Sequence, residues 1–319
     1  MTLSACTVEP PQAEAELRPQ QGADGSFSLF SARFGEGFHG PIGALREAHT
    51  KFVAPAQLER FAPGSSLVVV DVGFGLGTNS AALLEAARER GLELEIWGLE
   101  LDPQPLRQAL AAPAFRRQWQ PATLSLLTGL LEQGRCGASQ LLWGDARQRV
   151  QELPASRCDL VLLDAFSPQR CPELWSLEFL AALARLLQPE CRLLTYCCAA
   201  AIRRSLQLAG LELASISGPP PAWSYGTAAS RSPLPSLNAS AGIGEGPLRP
   251  LNLMELEHLA TRAAEPYRDP SGQAGAAEIL AARRRAQAAS TAGSTSAWRR
   301  RWRLEQGRAE PREATGQPA

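Results

Sequence analysis

Three carboxylates stand where apolar runs stop: Asp164 in LVLLDAF, Glu100 in IWGLELD and Asp145 in QLLWGDA. Each preceding run is short and rich in Leu, Val or Ile, so each reads as a buried strand with an acidic residue at its end. Asp164 is followed at once by Phe166, Ser167 and Pro168, in the stretch LLDAFSPQRCPELW. A carboxylate in that place is either a cap or turn former for the next segment or a reacting group. A fourth pattern, VDVGFGLGTN from Val70 to Asn79, joins an apolar run to a helical one through Gly73, Gly75 and Gly77. Glycine there lets the chain turn tightly and lets a ligand approach bare backbone.

The elements that must position these residues follow in regular alternation. LVVVDVG reads as a first buried strand and NSAALLEAARERG as an amphipathic helix stopped by Gly91. Strands are read at LELEIWGLELD, QLLWGDA, CDLVLLDAF, CRLLTYCC and LELASISG, with YGTAAS as a last one. Helices are read at PLRQALAAP, LEFLAALARLLQP and AIRRSLQLAG. Strands alternating with helices require crossover connections, hence an α/β fold with a mostly parallel seven-stranded sheet and helices on both faces. Upstream, SFSLFS reads as a short strand and ALREAHTKFV as a helical stretch; downstream, NLMELEHLATRAA and AAEILAARRRAQAA read as helices. The expected organisation is a flexible leader over 1–22, a segment covering the pocket over 23–62, the main domain over 63–235, and a helical extension with a basic, disordered tail over 236–319.

The glycine spacing narrows the ligand. A dinucleotide site prefers GxGxxG, whose third glycine allows close helix packing; here that position is Thr78. GxGxG after an acidic strand is the usual turn of S-adenosylmethionine methyltransferases, the alternative being a plain tight turn. Asp71, Gly73, Phe74, Gly75, Gly77 and Asn79 are then candidate cofactor contacts. Glu100 lies about 23 residues beyond Gly77, where a carboxylate can accept hydrogen bonds from ribose hydroxyls. Asp145 is placed to accept from an adenine amino group and Ala146 to offer its N–H to the ring. Open α/β sheets bind ligands along this carboxyl edge.

Composition excludes other classes. No apolar run approaches the roughly 20 residues that span a bilayer, and MTLSACTVEPPQAEAELRPQ lacks a signal-peptide pattern, so a cytoplasmic protein is expected. The seven cysteines are odd in number and lack CxxC spacing; Cys158, Cys191 and Cys197 fall inside strands and read as small buried apolar residues. With three histidines and no His/Cys cluster, no metal site is expected. Formal net charge is zero, Lys51 is the single lysine, and arginine gathers at Arg283–Arg285 and in WRRRWR from Trp298 to Arg303.

Four stretches together resemble the methyltransferases that finish 5-methylaminomethyl-2-thiouridine at the tRNA wobble position, the MnmC-type domains. They are DGSFSLFSARFGEGFHGPIGALREAHTKFV, DVGFGLGTN, LLDAFSPQRCPELWSLEFLAALARLL and LLTYCCAAAIRRSLQLAG, spanning roughly Asp24 to Gly210. The resemblance implies a Rossmann-like fold, S-adenosyl-L-methionine as methyl donor, a tRNA aminomethyl-uridine as acceptor, and a stand-alone form without the flavin-dependent oxidase domain of bifunctional members. PPPAWSYGTAAS replaces a stretch that is often basic in the family, and from about Arg231 onward the chain departs from the common pattern.

Under that resemblance Asp164 becomes the catalytic candidate. A carboxylate at the fourth strand end can hold an amine N–H, orient its lone pair and face the positive charge that grows on nitrogen. Phe166 would wall the pocket and Pro168 would stiffen the loop. Trp175 packs under that loop or stacks against a base; Tyr196 is a further pocket candidate. His39 and Glu47, in the matching N-terminal stretch, cover the cofactor, touch the acceptor or serve the fold alone. Competing functions are an N-methyltransferase or aminopropyl transferase acting on a small amine, and a non-catalytic RNA-binding module.

Overall fold

A computed structural model describes residues 17–218, 224–234 and 246–304. In chain order the strands are β1 (Leu17–Gln21), β2 (Phe27–Ser31), β3 (Glu36–Gly37), β4 (Ser66–Val72), β5 (Glu93–Glu100), β6 (Arg135–Cys136), β7 (Ser139–Trp143), β8 (Cys158–Leu163), β9 (Leu187–Thr195), β10 (Glu212–Ile216), β11 (Gly226–Ser230) and β12 (Leu248–Arg249). They form a three-stranded sheet, β1-β2-β3, and a nine-stranded one in the order β12-β10-β11-β9-β8-β4-β5-β7-β6. The expected seven-stranded sheet is the centre of the larger one; the two-residue strands β6 and β12 lengthen its edges. From β9 to β7 the neighbours are parallel, whereas β10, β11, β12 and β6 pair antiparallel.

The central strands are apolar on both faces because both faces are covered. Val68, Val70 and Val72 of β4 point into one core with Val161 and Leu163 of β8. Leu67 and Val69 alternate into the opposite core with Leu160 and Leu162. This period of two, with helices on each side, is why these strands read as continuous apolar runs. From β4 the chain builds outward through β5 to β7, then returns to lay β8 against the other side of β4. The crevice between the carboxyl ends of β4 and β8 is therefore the switch point where such sheets take ligands.

Two parts of the expected organisation need correction. The leader placed over 1–22 includes β1, which pairs with β2 along its whole length; residues 1–16 lie outside the described residues. The tail expected to be disordered folds as far as residue 304. Helix Thr295–Arg301 buries Trp298, whose ring stacks on His258 at 3.8 Å and whose Nε1 donates to Met254 O at 2.9 Å. An indole with both an apolar seat and an acceptor is a strong anchor. Arg283 is likewise committed: it donates to the Glu265 and Ala263 carbonyls at 2.8 and 2.9 Å and lies over the Tyr267 ring. Among the described residues no helix is long and apolar enough to cross a membrane.

Candidate active site

A cavity of about 1600 Å³ opens at the switch point, lined by the ends of β4, β5, β7 and β8 and walled by the small sheet. It exceeds the roughly 300–1,000 Å³ of a single small-ligand site, so it has room for two reactants. Gly73, Gly75, Glu100, Asp145, Ala146, Asp164, Phe166, Tyr196, His39 and Glu47 all line it.

At the glycine turn the backbone of β4 passes close under β8. Gly73 has φ +76°, and a Cβ there would fall 3.0 Å from Asp164 O; glycine is required both by the left-handed backbone and by the contact. Gly75 donates its N–H to Glu100 Oε2 at 2.8 Å, while Leu101 and Asp102 N–H groups reach Glu100 Oε1 at 2.7 and 3.0 Å. Three of the roughly four acceptor positions of a carboxylate are thus filled, leaving one for a ligand hydroxyl. Burial nevertheless pushes the Glu100 carboxyl up, against these three backbone donors.

Asp164 leaves β8 with its N–H bonded to Val72 O at 3.0 Å. Its Oδ2 accepts from Asn79 Nδ2 at 2.6 Å. Burial pushes its carboxyl up to about 6, with the Asn79 bond and the Lys51 charge pulling down and Glu47 pushing up. Lys51 Nζ sits 2.9 Å from Glu47 Oε1 and 5.6 Å from the centre of the Tyr196 ring. Glu47 also accepts from Gly40 N–H at 3.0 Å, so it anchors the covering segment. The stretch from Ala44 to Ala56 is helical, with a wider π-turn over His49–Val53, a feature that often marks functional sites.

Behind Asp164 the loop is braced at each residue. Tyr196 Oη donates to Ala165 O at 3.0 Å, and Trp175 Nε1 donates to Phe166 O at 2.8 Å. The Glu36 carboxylate accepts from the Ser167 N–H and hydroxyl. Phe166 stacks on Phe34, ring centres 4.3 Å apart, and meets the edge of Phe38 at 5.0 Å.

A family model described as S-adenosyl-L-methionine-dependent methyltransferase matches residues 111–220. The crystal structure of MnmC2 from Aquifex aeolicus has a TM-score of 0.70 at 28% sequence identity, covering 87% of each chain. The tRNA 5-methylaminomethyl-2-thiouridine biosynthesis bifunctional protein MnmC of Azoarcus sp. is 32% identical over 204 residues, 59% of this chain and 32% of that protein. Its counterpart in Cupriavidus necator is 32% identical over 228 residues, 65% of this chain and 33% of that protein. The chain is similar to the methyltransferase part of MnmC-type proteins. It spans about a third of the length of these curated relatives. The cofactor of the domain is S-adenosyl-L-methionine.

The site fits that cofactor. Bare glycine backbone lines the cavity beside Glu100, and Asp145 and Ala146 stand at the neighbouring strand end. The donor set has carboxylates for hydroxyl and amino groups. Among the described residues no group of three or more His, Cys, Asp or Glu could hold a metal ion.

Several of the expected contacts do not face the cavity. Asp71 lies at the other face of β4, 1% exposed, and accepts from Ser80 Oγ at 2.6 Å; its Oδ1 is buried without a hydrogen-bond partner among the described residues, and burial pushes the carboxyl up to about 7. Alternation along β4 explains this: Leu67, Val69 and Asp71 share one face. Phe74 is a core residue packed among Leu76, Leu127 and Leu141, and Gly77 is the cap residue before helix Thr78–Glu89. Asn79 serves Asp164. Trp175 is fully buried and props the loop, leaving no face for a base; Pro168 is half-buried in the loop outside the cavity wall. His39 is close to Ser28 Oγ, 2.8 Å from Nδ1, and burial holds it down at about 4, so at neutral pH it is an uncharged wall.

Phe34, Glu36 and Arg147 were not legible as site residues in the sequence. Arg147 lines the cavity and grips Asp145 Oδ2 through Nη2 at 2.7 Å. A charged residue two positions after a strand-end carboxylate was the available signal; the others meet the site only through long-range folding.

Proposed function

We propose that this protein transfers a methyl group from S-adenosyl-L-methionine to the aminomethyl nitrogen of 5-aminomethyl-(2-thio)uridine at the wobble position of tRNA, in the cytoplasm. The observation that carries the reading is Asp164: a carboxylate aimed into the cavity beside the glycine turn, held by Asn79. The names of the MnmC relatives supply the acceptor class.

The cofactor supplies an electrophilic methyl group. Glu100 would take a ribose hydroxyl, Asp145 the adenine amino group and Ala146 N–H a ring nitrogen. The amine must enter neutral, since its lone pair forms the new bond. Asp164, ionised above about 6, accepts an N–H of that amine, fixes the lone-pair direction and faces the charge that develops on nitrogen. A carboxylate this weakly basic does not strip an ammonium group efficiently, so its contribution is orientation and electrostatic stabilisation, with the last proton passing to it transiently or to water. The Lys51 charge favours the ionised acid, opposed by that of its partner Glu47.

The test is direct. Purified protein, labelled S-adenosyl-L-methionine and tRNA bearing the aminomethyl-uridine should yield label in the wobble nucleoside only. Transfer to small amines such as putrescine but not to this tRNA would replace the reading with the small-amine alternative.

A further inference from the structure

The C-terminal segment reaches back to the cofactor end of the cavity through one arginine. Arg147 donates from Nε to Asp145 Oδ1 and Oδ2, each at 3.1 Å, and from Nη2 to Asp145 Oδ2 at 2.7 Å. Its Nη1 points away and donates to Asp269 Oδ2 at 2.7 Å and to Ala274 O at 2.9 Å. Asp269 is 1% exposed. Its other oxygen is fixed by Ser271 Oγ at 3.0 Å, Gln273 N at 3.2 Å and Ala274 N at 3.1 Å. Its own N–H is tied to Glu178 Oε2 at 2.8 Å. The turn 269–274 is therefore a rigid socket for one side of the Arg147 guanidinium.

That socket decides how Arg147 presents itself. With Nη1 committed to Asp269 and Ala274, only the Nε–Nη2 edge is offered to Asp145. Asp145 also caps the helix that follows it, Oδ1 accepting from the Arg147 N–H at 2.9 Å; three donated hydrogens, the Nε–H shared between both oxygens, leave about one of its roughly four acceptor positions for a ligand, and the three charged groups together keep one net negative charge. Without Asp269 the guanidinium keeps only the neutral Ala274 carbonyl on that side, and the fork that sets the plane of Asp145 loosens.

We infer that Asp269 and Arg147 are positioning residues for cofactor recognition: they hold Asp145 as an acceptor for the exocyclic amino group of the adenine. The inference rests on the assignment of Asp145 to that amino group made above. It extends the site to a part of the chain beyond residues 111–220, which the methyltransferase family model matches.

The test is calorimetric binding of two probes to the full chain, S-adenosylhomocysteine and S-inosylhomocysteine, which differ in the amino group at issue. The wild-type protein should bind the adenine probe at least about tenfold tighter, the scale of one hydrogen bond to a charged acceptor. In Asp269→Asn this ratio should fall below about threefold while affinity for the inosine probe changes less than about twofold. Arg147→Leu leaves the 269–274 turn its own hydrogen bonds and should collapse the ratio in the same way, which covers the case of Asp269→Asn failing to fold. Loosened structure alone would weaken both probes alike and keep the ratio; that result overturns the inference while leaving the Asp145 assignment standing. A wild-type protein with no preference overturns the assignment itself, and the inference with it.

Discussion

Asn79 Nδ2 and Asp164 Oδ2 lie 2.6 Å apart, joining the first turn of helix Thr78–Glu89 to the end of β8. The bond links the glycine turn to the reaction end of the cavity. It also fixes one oxygen of the Asp164 carboxylate on a buried amide. Replacing Asn79 with Leu should lower kcat at least about tenfold, the scale of one charge-assisted hydrogen bond. Cofactor affinity measured by calorimetry should change far less. An unaltered kcat would mean that Asp164 is oriented by other contacts.

The pH dependence has a definite sign. Asp164 is pushed up to about 6, so its carboxylate form grows as pH rises through that value. The acid side of the kcat/KM profile carries the protonation of the acceptor amine and should therefore steepen further below about 6. The steepening should move upward in Asn79→Leu, since the lost bond favours the ionised form, and vanish in Asp164→Asn, whose residual rate should be lower by about a hundredfold or more. Steepening below about 6 that persists in Asp164→Asn belongs to another group.

Asp71 predicts a stability effect of the opposite kind to an ordinary surface carboxylate. Its folded-state value is raised from 3.8 to about 7, so its contribution is fully present below about 4 and is lost as pH rises through about 7. Asp71→Asn removes that titration while keeping an acceptor for Ser80. The melting temperature of the variant relative to wild type should rise between pH 5 and pH 8. A difference that stays constant over that range would show that Asp71 does not titrate there.

The C-terminal extension is fastened by a buried ion pair. Arg203 Nη1 and Glu255 Oε1 are 2.9 Å apart, with side chains 1% and 0% exposed, and Arg249 closes on the other Glu255 oxygen. Glu255→Ala leaves Arg203 buried without its carboxylate, a change that costs about 3–5 kcal/mol. Urea unfolding should show a loss of that size; a loss below about 1 kcal/mol would mean that the extension adds little to the fold.

Much of the sheet was legible because β4, β5, β7, β8 and β9 each coincide with a short apolar run, with β4 and β8 at the centre buried on both faces. The helix Pro121–Gln133 was not, because its leucines circle the axis and only Thr123, Leu127 and Leu130 are buried, so no single stripe marks it. Of the site, the strand-end carboxylates Glu100, Asp145 and Asp164 were readable from local sequence. Asp71 and Asn79 sit in the same motif, but strand alternation and helix direction leave them outside the cavity lining. The socket of Asp269 for Arg147 bridges 122 residues, and no local pattern announces such a contact. The arginines of the C-terminal part drew attention as a cluster, yet Arg283 is spent on backbone carbonyls and Arg301 pairs with Glu257.

The most direct test of the proposed activity is mass analysis of wobble nucleosides from cells with and without this gene, complemented by wild type or by Asp164→Ala. Loss of the gene should deplete the 5-methylaminomethyl nucleoside and accumulate its aminomethyl precursor, with wild type restoring the product and Asp164→Ala failing to do so. An unchanged nucleoside profile on loss of the gene, or full restoration by Asp164→Ala, would contradict the account.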